Sequence, residues 1–277
     1  MPLRLRAMRA LAAVWLAGCV SVQVTSSSDI AIPMTRLPGG TFTMGNTGAA
    51  EGEPIERPTH EVTVAPFEIG TYEVTQAEYE AVMGHNPSQS QTPDQPVEWV
   101  SWYDAVRFCN VLSEREGLTP AYRIDPFEGY TLDPEADGYR LPTEPEWEYA
   151  AKAGTSTDTY GGDVTVDEGV DPALDPIGWV LDAEPWEDPK PVGQKAPNDF
   201  GLYDTIGNVF EWTDAAFMAY PGGDVSGVPG GSVGASLKVL RGGAIDTAPA
   251  FSRASYRYRL HPSYTSHNVG FRIARSL

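Results

Sequence analysis

The sequence predicts a single ordered domain, rich in loops, in which short strands are interleaved with three helices. Three observations carry that expectation. The 277 residues include seven Trp and 10% aromatic side chains, enough for a substantial core. The 28 Gly and 24 Pro make up roughly a fifth of the chain, below the level of low-complexity or disordered proteins. Three helix-capping signals stand in the chain, while no repeat of fixed period and no linker divides residues 36–276.

The first eighteen residues read as a targeting segment and not as fold. Arg4, Arg6 and Arg9 form a charged n-region, and Ala10 to Ala17 is an apolar stretch too short to span a bilayer. Leu16-Ala17-Gly18-Cys19 resembles a bacterial lipobox, in which Cys19 is lipidated and becomes the mature N-terminus. A plain signal peptide with a chance cysteine is the other reading. Residues 19–35 contain Ser26-Ser-Ser28 and no apolar period, as a short tether would. The expectation is a bacterial envelope protein held on a membrane by its lipid, at the outer membrane or the periplasmic face. The only other cysteine is Cys109, so lipidation of Cys19 would leave no intramolecular disulfide. Net charge is -19 and becomes three units more negative once residues 1–18 leave. That balance argues against a nucleic-acid partner, which needs a basic face.

Along the domain, residues 40–44 alternate as a strand, and 60–69 continue with Val62, Val64, Phe67 and Ile69. The stretch between them reads as a loop. Thr75-Gln-Ala-Glu78 is a capping box that opens the first helix, and Gly84 ends it. Ser101-Trp-Tyr-Asp104 opens the second, which runs to Gly117. Ala105, Val106, Cys109 and Leu112 share one of its faces, so Cys109 reads as a small buried hydrophobe. Thr143-Glu-Pro-Glu146 opens the third, closed by Gly154, with Pro145 tolerated in the first turn. Residues 155–190 hold ten acids against one lysine and read as a solvated acidic loop. Val239 to Gly243 reads as a strand and turn, Tyr256-Arg-Tyr-Arg259 as alternating strand residues, and Val269 to Ile273 as the last strand, with Arg272 in an ion pair.

The densest stretch is Gly201-Leu-Tyr-Asp-Thr-Ile-Gly-Asn-Val-Phe-Glu-Trp212. Gly207-Asn208 forces a turn, since both residues tolerate the left-handed conformation. The turn can bring Asp204 and Glu211 together with backbone carbonyls between them, a donor set suited to Ca²⁺. Two acids that merely cap turns would give the same spacing.

That stretch resembles the signature of the formylglycine-generating-enzyme, or sulfatase-modifying-factor, family. Further blocks stand in the family's order: Gly39-Gly-Thr-Phe-Thr-Met-Gly45, Tyr72-Glu-Val-Thr75, Arg140-Leu-Pro-Thr-Glu-Pro-Glu-Trp-Glu-Tyr149, Pro197-Asn198, Arg241-Gly-Gly243 and Asn268-Val-Gly-Phe-Arg272. The resemblance implies a compact, loop-rich α+β fold related to C-type lectins. It also implies one structural Ca²⁺ held by the side chains of Asp204 and Glu211 and the carbonyls of Gly207 and Val209. Asp204 stands where the family often has Asn. A further family Ca²⁺ site falls within the acidic region, where no matching ligands are found.

The family's oxidase chemistry uses two cysteines shortly after the Arg-Gly-Gly turn, and there the chain departs from it. Thr247 lies near the first expected cysteine and Ala250 or Phe251 near the second, and no cysteine follows Cys109. Thiolates are the ligands that suit Cu(I), so copper-dependent formylglycine formation is not expected. Asp246, Thr247, Arg253, Tyr256, Tyr258, His261 and His267 occupy the segment that forms the family's active-site region, and they are the candidate site residues. His261 and His267 with no acid at definite spacing make a poor iron motif. No nucleophile elbow, His-Glu-x-x-His or phosphate loop is present. The leading reading is a non-copper binding or accessory module for an exported protein, peptide or glycan. The rival is an enzyme of altered chemistry on the same scaffold. A true oxidase comes last. Convergent polar groups with perturbed pKa would favour the enzyme, an aromatic-lined groove the binder.

Overall fold

The computed structural model describes residues 31–125, 129–166, 169–181, 188–223 and 237–277. Cys19, the targeting segment and most of the tether lie outside these residues. Two four-stranded sheets form the frame. The first contains β1 (Met34–Leu37), β4 (Phe67–Gly70), β12 (Ala274–Ser276) and β7 (Tyr139–Arg140), in that order, all antiparallel. The second contains β10 (Tyr258–Leu260), β9 (Lys238–Arg241), β8 (Phe210–Ala216) and β11 (Val269–Gly270), with β11 parallel to β8. Two hairpins complete the strands, β2 (Gly40–Met44) with β3 (His60–Val64) and β5 (Tyr122–Asp125) with β6 (Gly129–Leu132).

All three capping signals open helices. Thr75 caps α1 (Gln76–Met83), Ser101 caps α2 (Trp102–Arg115) and Thr143 caps α3 (Glu144–Lys152), each with the reciprocal Glu or Asp bond in place. Each such box satisfies two otherwise orphaned N–H groups. Gly84 ends α1 at φ 79°, a conformation that costs glycine nothing. The buried face of α2 carries Ala105, Val106, Cys109 and Leu112 into the main core with Trp212 and Phe271. Burial pushes the Cys109 thiol well up, so it stays protonated and inert.

Three expectations change. The stretch 60–69 is two strands, because β3 pairs with β2 while β4 pairs with β1 and β12. Pro66 between them carries no N–H to continue a ladder. The terminal stretch also divides: β11 belongs to the second sheet and β12 to the first, and the linking residues Phe271 and Arg272 are fully buried. This crossing ties the sheets together through Arg272. Thirdly, the acidic segment is not simply a solvated loop. Asp158 and Asp171 are buried and accept backbone hydrogen bonds, Asp171 from Thr165, Val166 and Ala173 at 2.7 to 2.9 Å. They act as the frame that irregular backbone needs when no ladder supplies one.

Five arginines hold the core from within. Arg272 pairs with Glu211, Arg253 with Glu56, Arg140 with Glu146, Arg257 with Glu144, and Arg241 with Glu148. Helix α3 supplies three of the five acids. Glu144 and Glu148 lie one turn apart, and Glu148 also takes Lys152 at 2.9 Å.

Candidate functional site

The central motif forms the tight bend its sequence demands. Asp204, Gly207 and Asn208 all take positive φ, at 53°, 79° and 59°. A Cβ on Gly207 would lie 2.0 Å from the Trp179 carbonyl oxygen, so only glycine fits. Asp204 and Glu211 do share one buried region, but two other charged groups join them. Glu211 receives both arms of Arg272, at 2.6 and 2.7 Å, and the Trp147 indole N–H at 2.7 Å. Glu73, also buried, accepts from the Asn208 amide at 2.6 Å and from the Val209 N–H at 3.1 Å. Asp204 accepts from the Gly193 N–H at 2.6 Å through Oδ2, while its buried Oδ1 has no hydrogen-bond partner among the described residues.

Three buried carboxylates therefore face one guanidinium. Burial pushes Asp204 up to about 6, with the Glu211 charge adding to it. Burial likewise holds Glu73 well above the usual carboxylate range, reinforced by Asp204 and Glu211. Excess negative charge and a buried, partnerless Oδ1 are what a cation would relieve, so the donor chemistry fits Ca²⁺. Glu211 has one lone pair left for it, on Oε1, because Oε2 already accepts two bonds. Among the described residues no group of three or more His, Cys, Asp or Glu side chains surrounds a common metal position. An ion here would depend on Asp204 and on carbonyls. Sequence reasoning missed Glu73, although the Tyr72-Glu-Val-Thr75 block contained the signal.

The candidate active-site segment folds beside this bend. Asp246, Thr247, Tyr256, Tyr258 and His267 line a groove of about 520 Å³, together with Phe210, Phe251 and Tyr264. His267 Nε2 lies 3.1 Å from Asp246 Oδ2, and the Asn268 amide donates to both Asp246 oxygens at 2.9 and 3.2 Å. Phe210 stacks on Tyr258 at 4.9 Å, and Phe251 packs on Tyr256 at 5.3 Å. Burial raises the Tyr256 phenol to about 12, and burial also raises Tyr258. Both phenols are therefore neutral donors at physiological pH. Thr247 Oγ1 accepts from the Ala244 N–H at 3.2 Å, which fixes the turn after the Arg241-Gly-Gly243 block.

Two of the predicted residues do not join the groove. Arg253 points the other way, making a bidentate pair with buried Glu56 at 2.6 and 2.7 Å. His261 is exposed and contacts Ser263 at 2.7 Å. Phe210 and Tyr264, which sequence reasoning left out of the candidate set, are brought in by strand β8 and by the turn after β10. Their aromatic character was the available signal.

Below the rim, Trp99 donates its backbone N–H to the Ser266 carbonyl at 2.9 Å. Its neighbour Glu98 is 1% exposed; Oε1 accepts from Gln89 and Oε2 has no partner. Burial pushes Glu98 up to about 7, and Asp188 adds to the rise. A raised carboxylate stabilises the fold below its unfolded value, and that contribution is lost as pH climbs through about 7. Glu98→Gln removes the titration. The variant should gain melting temperature relative to wild type between pH 5 and pH 8, and parallel pH profiles would contradict the assignment.

With fold and groove in place, the comparisons define the class. The sulfatase-modifying factor enzyme 1-like domain family matches residues 25–277. The chain belongs to this family of formylglycine-generating-enzyme-like domains. It is 35% identical over 224 residues to the Chaperone protein LppX of Paenibacillus barcinonensis, covering 71% of this chain and 76% of that protein. It is 29% identical over 316 residues to the Inactive C-alpha-formylglycine-generating enzyme 2 of Mus musculus, covering 95% and 91% respectively. Among solved structures, Treponema denticola variable protein 1 superposes with a TM-score of 0.74 at 29% identity, covering 87% of this chain and 94% of that one. The α+β, loop-rich architecture is that of the family.

Proposed function

We propose that the domain is a binding module, tethered to the bacterial envelope through Cys19, which holds an extended stretch of an exported polypeptide in the aromatic groove. The observation that carries this reading is the groove's lining. Five aromatic side chains of the described residues face it, two of them the neutral phenols of Tyr256 and Tyr258, and the positions expected for sulfur ligands hold Thr247 and Ala250 or Phe251. A hydroxyl and an apolar side chain give Cu(I) no thiolate, so the reading assigns the groove to recognition instead of copper-dependent oxidation. A chaperone among the similar proteins and another described as inactive agree with it.

The test uses a permanently unfolded probe, reduced and carboxymethylated α-lactalbumin bearing a fluorophore. Its anisotropy should rise on titration with the protein. Phe251 and Tyr264 are 39% and 47% exposed, so the Phe251→Ser/Tyr264→Ser double variant should fold normally and bind at least about tenfold more weakly. Equal binding by wild type and variant would remove the groove from the account. Loss of acyl labelling in Cys19→Ala cells tests the tether separately, and unchanged labelling would count against it.

A second reading rests on one contact. Asp246 and His267 at 3.1 Å form a dyad able to hold and pass a proton, which an enzyme of altered chemistry would use on the same bound peptide.

Ca²⁺ enters this reading as a structural ion at Asp204, with the Gly207 and Val209 carbonyls and the spare Glu211 lone pair. It would supply positive charge to a bend holding three buried acids. At an ion concentration of roughly a hundred times Kd it would contribute about 2.7 kcal/mol. Chelation should then lower the melting temperature of wild type and leave Asp204→Ala unchanged. Identical wild-type melting with and without chelator would contradict the ion.

A further inference from the structure

On another face, strand β2 and the C-terminal end of α3 enclose a second hollow, of about 430 Å³. Its floor is aromatic. Tyr149 packs edge-on to Phe42 at 5.6 Å and tilted to Phe200 at 5.3 Å, all three rings half-buried against the core cluster of Leu37, Phe67 and Ile69. Anchored rings of this kind present a rigid apolar plane.

The walls are hydroxylated and carry both hydrogen-bond senses. Thr47 Oγ1 accepts from Lys152 Nζ at 3.3 Å, so its own hydrogen remains to donate outward. Thr155 Oγ1 donates to the Lys152 carbonyl at 2.8 Å, so lone pairs remain for a ligand. Ser156 adds an exposed hydroxyl.

The single cation in the hollow is already committed. Lys152 Nζ meets the carbonyls of Thr43 at 3.0 Å and Gly45 at 2.8 Å, Thr47 Oγ1 at 3.3 Å and Glu148 Oε1 at 2.9 Å. An ammonium has three donors, so none is left for a ligand and Glu148 neutralises the charge. The hollow thus offers no attraction to phosphate or carboxylate. A purely apolar ligand would leave the hydroxyl wall unpaired, which costs free energy.

We infer that this hollow binds a neutral polyhydroxylated ring, a sugar unit of a glycan, with one ring face on Tyr149 and its hydroxyls on Thr47, Thr155 and Ser156. The volume lies within the range of small-molecule sites, about 300–1,000 Å³, and accommodates one or two rings. This site is separate from the aromatic groove and stands whether or not the groove binds polypeptide.

Saturation-transfer NMR tests it with maltose, cellobiose and N,N′-diacetylchitobiose as neutral probes and glucuronate as the charged one. At least one neutral disaccharide should bind saturably and more tightly than glucuronate. Tyr149→Ala should weaken that binding about tenfold. Ser156→Ala, at an exposed position that leaves the core intact, should weaken it about threefold. Tyr149→Phe, which keeps the ring, and Tyr258→Ala, in the other groove, should bind as wild type. The inference is overturned if no neutral sugar binds, if glucuronate binds best, or if Ser156→Ala and Tyr149→Ala both bind as wild type.

Discussion

Glu211→Ala should cost about 3–5 kcal/mol, the penalty for stranding one partner of a fully buried ion pair. Arg272 and Glu211 are both 0% exposed, and among the described residues the guanidinium has no other carboxylate at bonding distance. The substitution also orphans the Trp147 N–H, at a further cost of about 1–3 kcal/mol. One effect opposes these losses: removing Glu211 relieves its repulsion of Glu73 and Asp204. That relief is the smaller quantity, because two carboxylates stay buried together. A domain with a total stability of about 5–15 kcal/mol is then near its limit. Urea titration measures the change. Replacing the pair together, as Glu211→Leu/Arg272→Met, should recover much of the loss, since apolar isosteres avoid desolvating two charges. A Glu211→Ala protein within about 1 kcal/mol of wild type would mean the pair does not hold the sheets.

Arg241→Lys should cost about 3 kcal/mol, although the charge is kept. The guanidinium donates to Glu148 and to the Tyr256 carbonyl, the latter at 2.6 Å, and its Nε sits 3.7 Å from Glu144, an ion-pair contact beyond hydrogen-bond reach. An ammonium is a single point and cannot reach all three. The Tyr256 contact gives this variant a second consequence. Tyr256 lines the groove, so losing its anchor should weaken polypeptide binding as well as stability. Binding that is unchanged while the urea midpoint falls would separate the two roles.

The helices were legible because their starts are written in adjacent residues. Thr75, Ser101 and Thr143 each find their partner three positions on, and each caps a helix. The Gly207-Asn208 bend was legible for the same local reason. The division of 60–69 and 269–276 between sheets was not, because each run reads as one continuous strand and only tertiary pairing decides which sheet each half enters. The buried acids of 155–190 were hidden similarly: Asp171 looks like a surface acid until Thr165 and Ala173 fold around it. For the groove, sequence placed Asp246, Thr247, Tyr256, Tyr258 and His267 together. It could not foresee that Arg253 turns inward, because Glu56 lies nearly two hundred residues away along the chain. Glu73 was missed for the same cause, long separation from the bend it completes.

The central claim is that the groove recognises polypeptide without oxidising it. The most direct measurement incubates the purified protein with a cysteine-containing sulfatase-type peptide, Cu(I) and O₂, following peptide binding by anisotropy and the cysteine by mass spectrometry. The account predicts saturable binding that weakens in Phe251→Ser/Tyr264→Ser, with the cysteine left as it is in a copper-only control. Conversion of that cysteine to the aldehyde above the control, dependent on the protein, would contradict it.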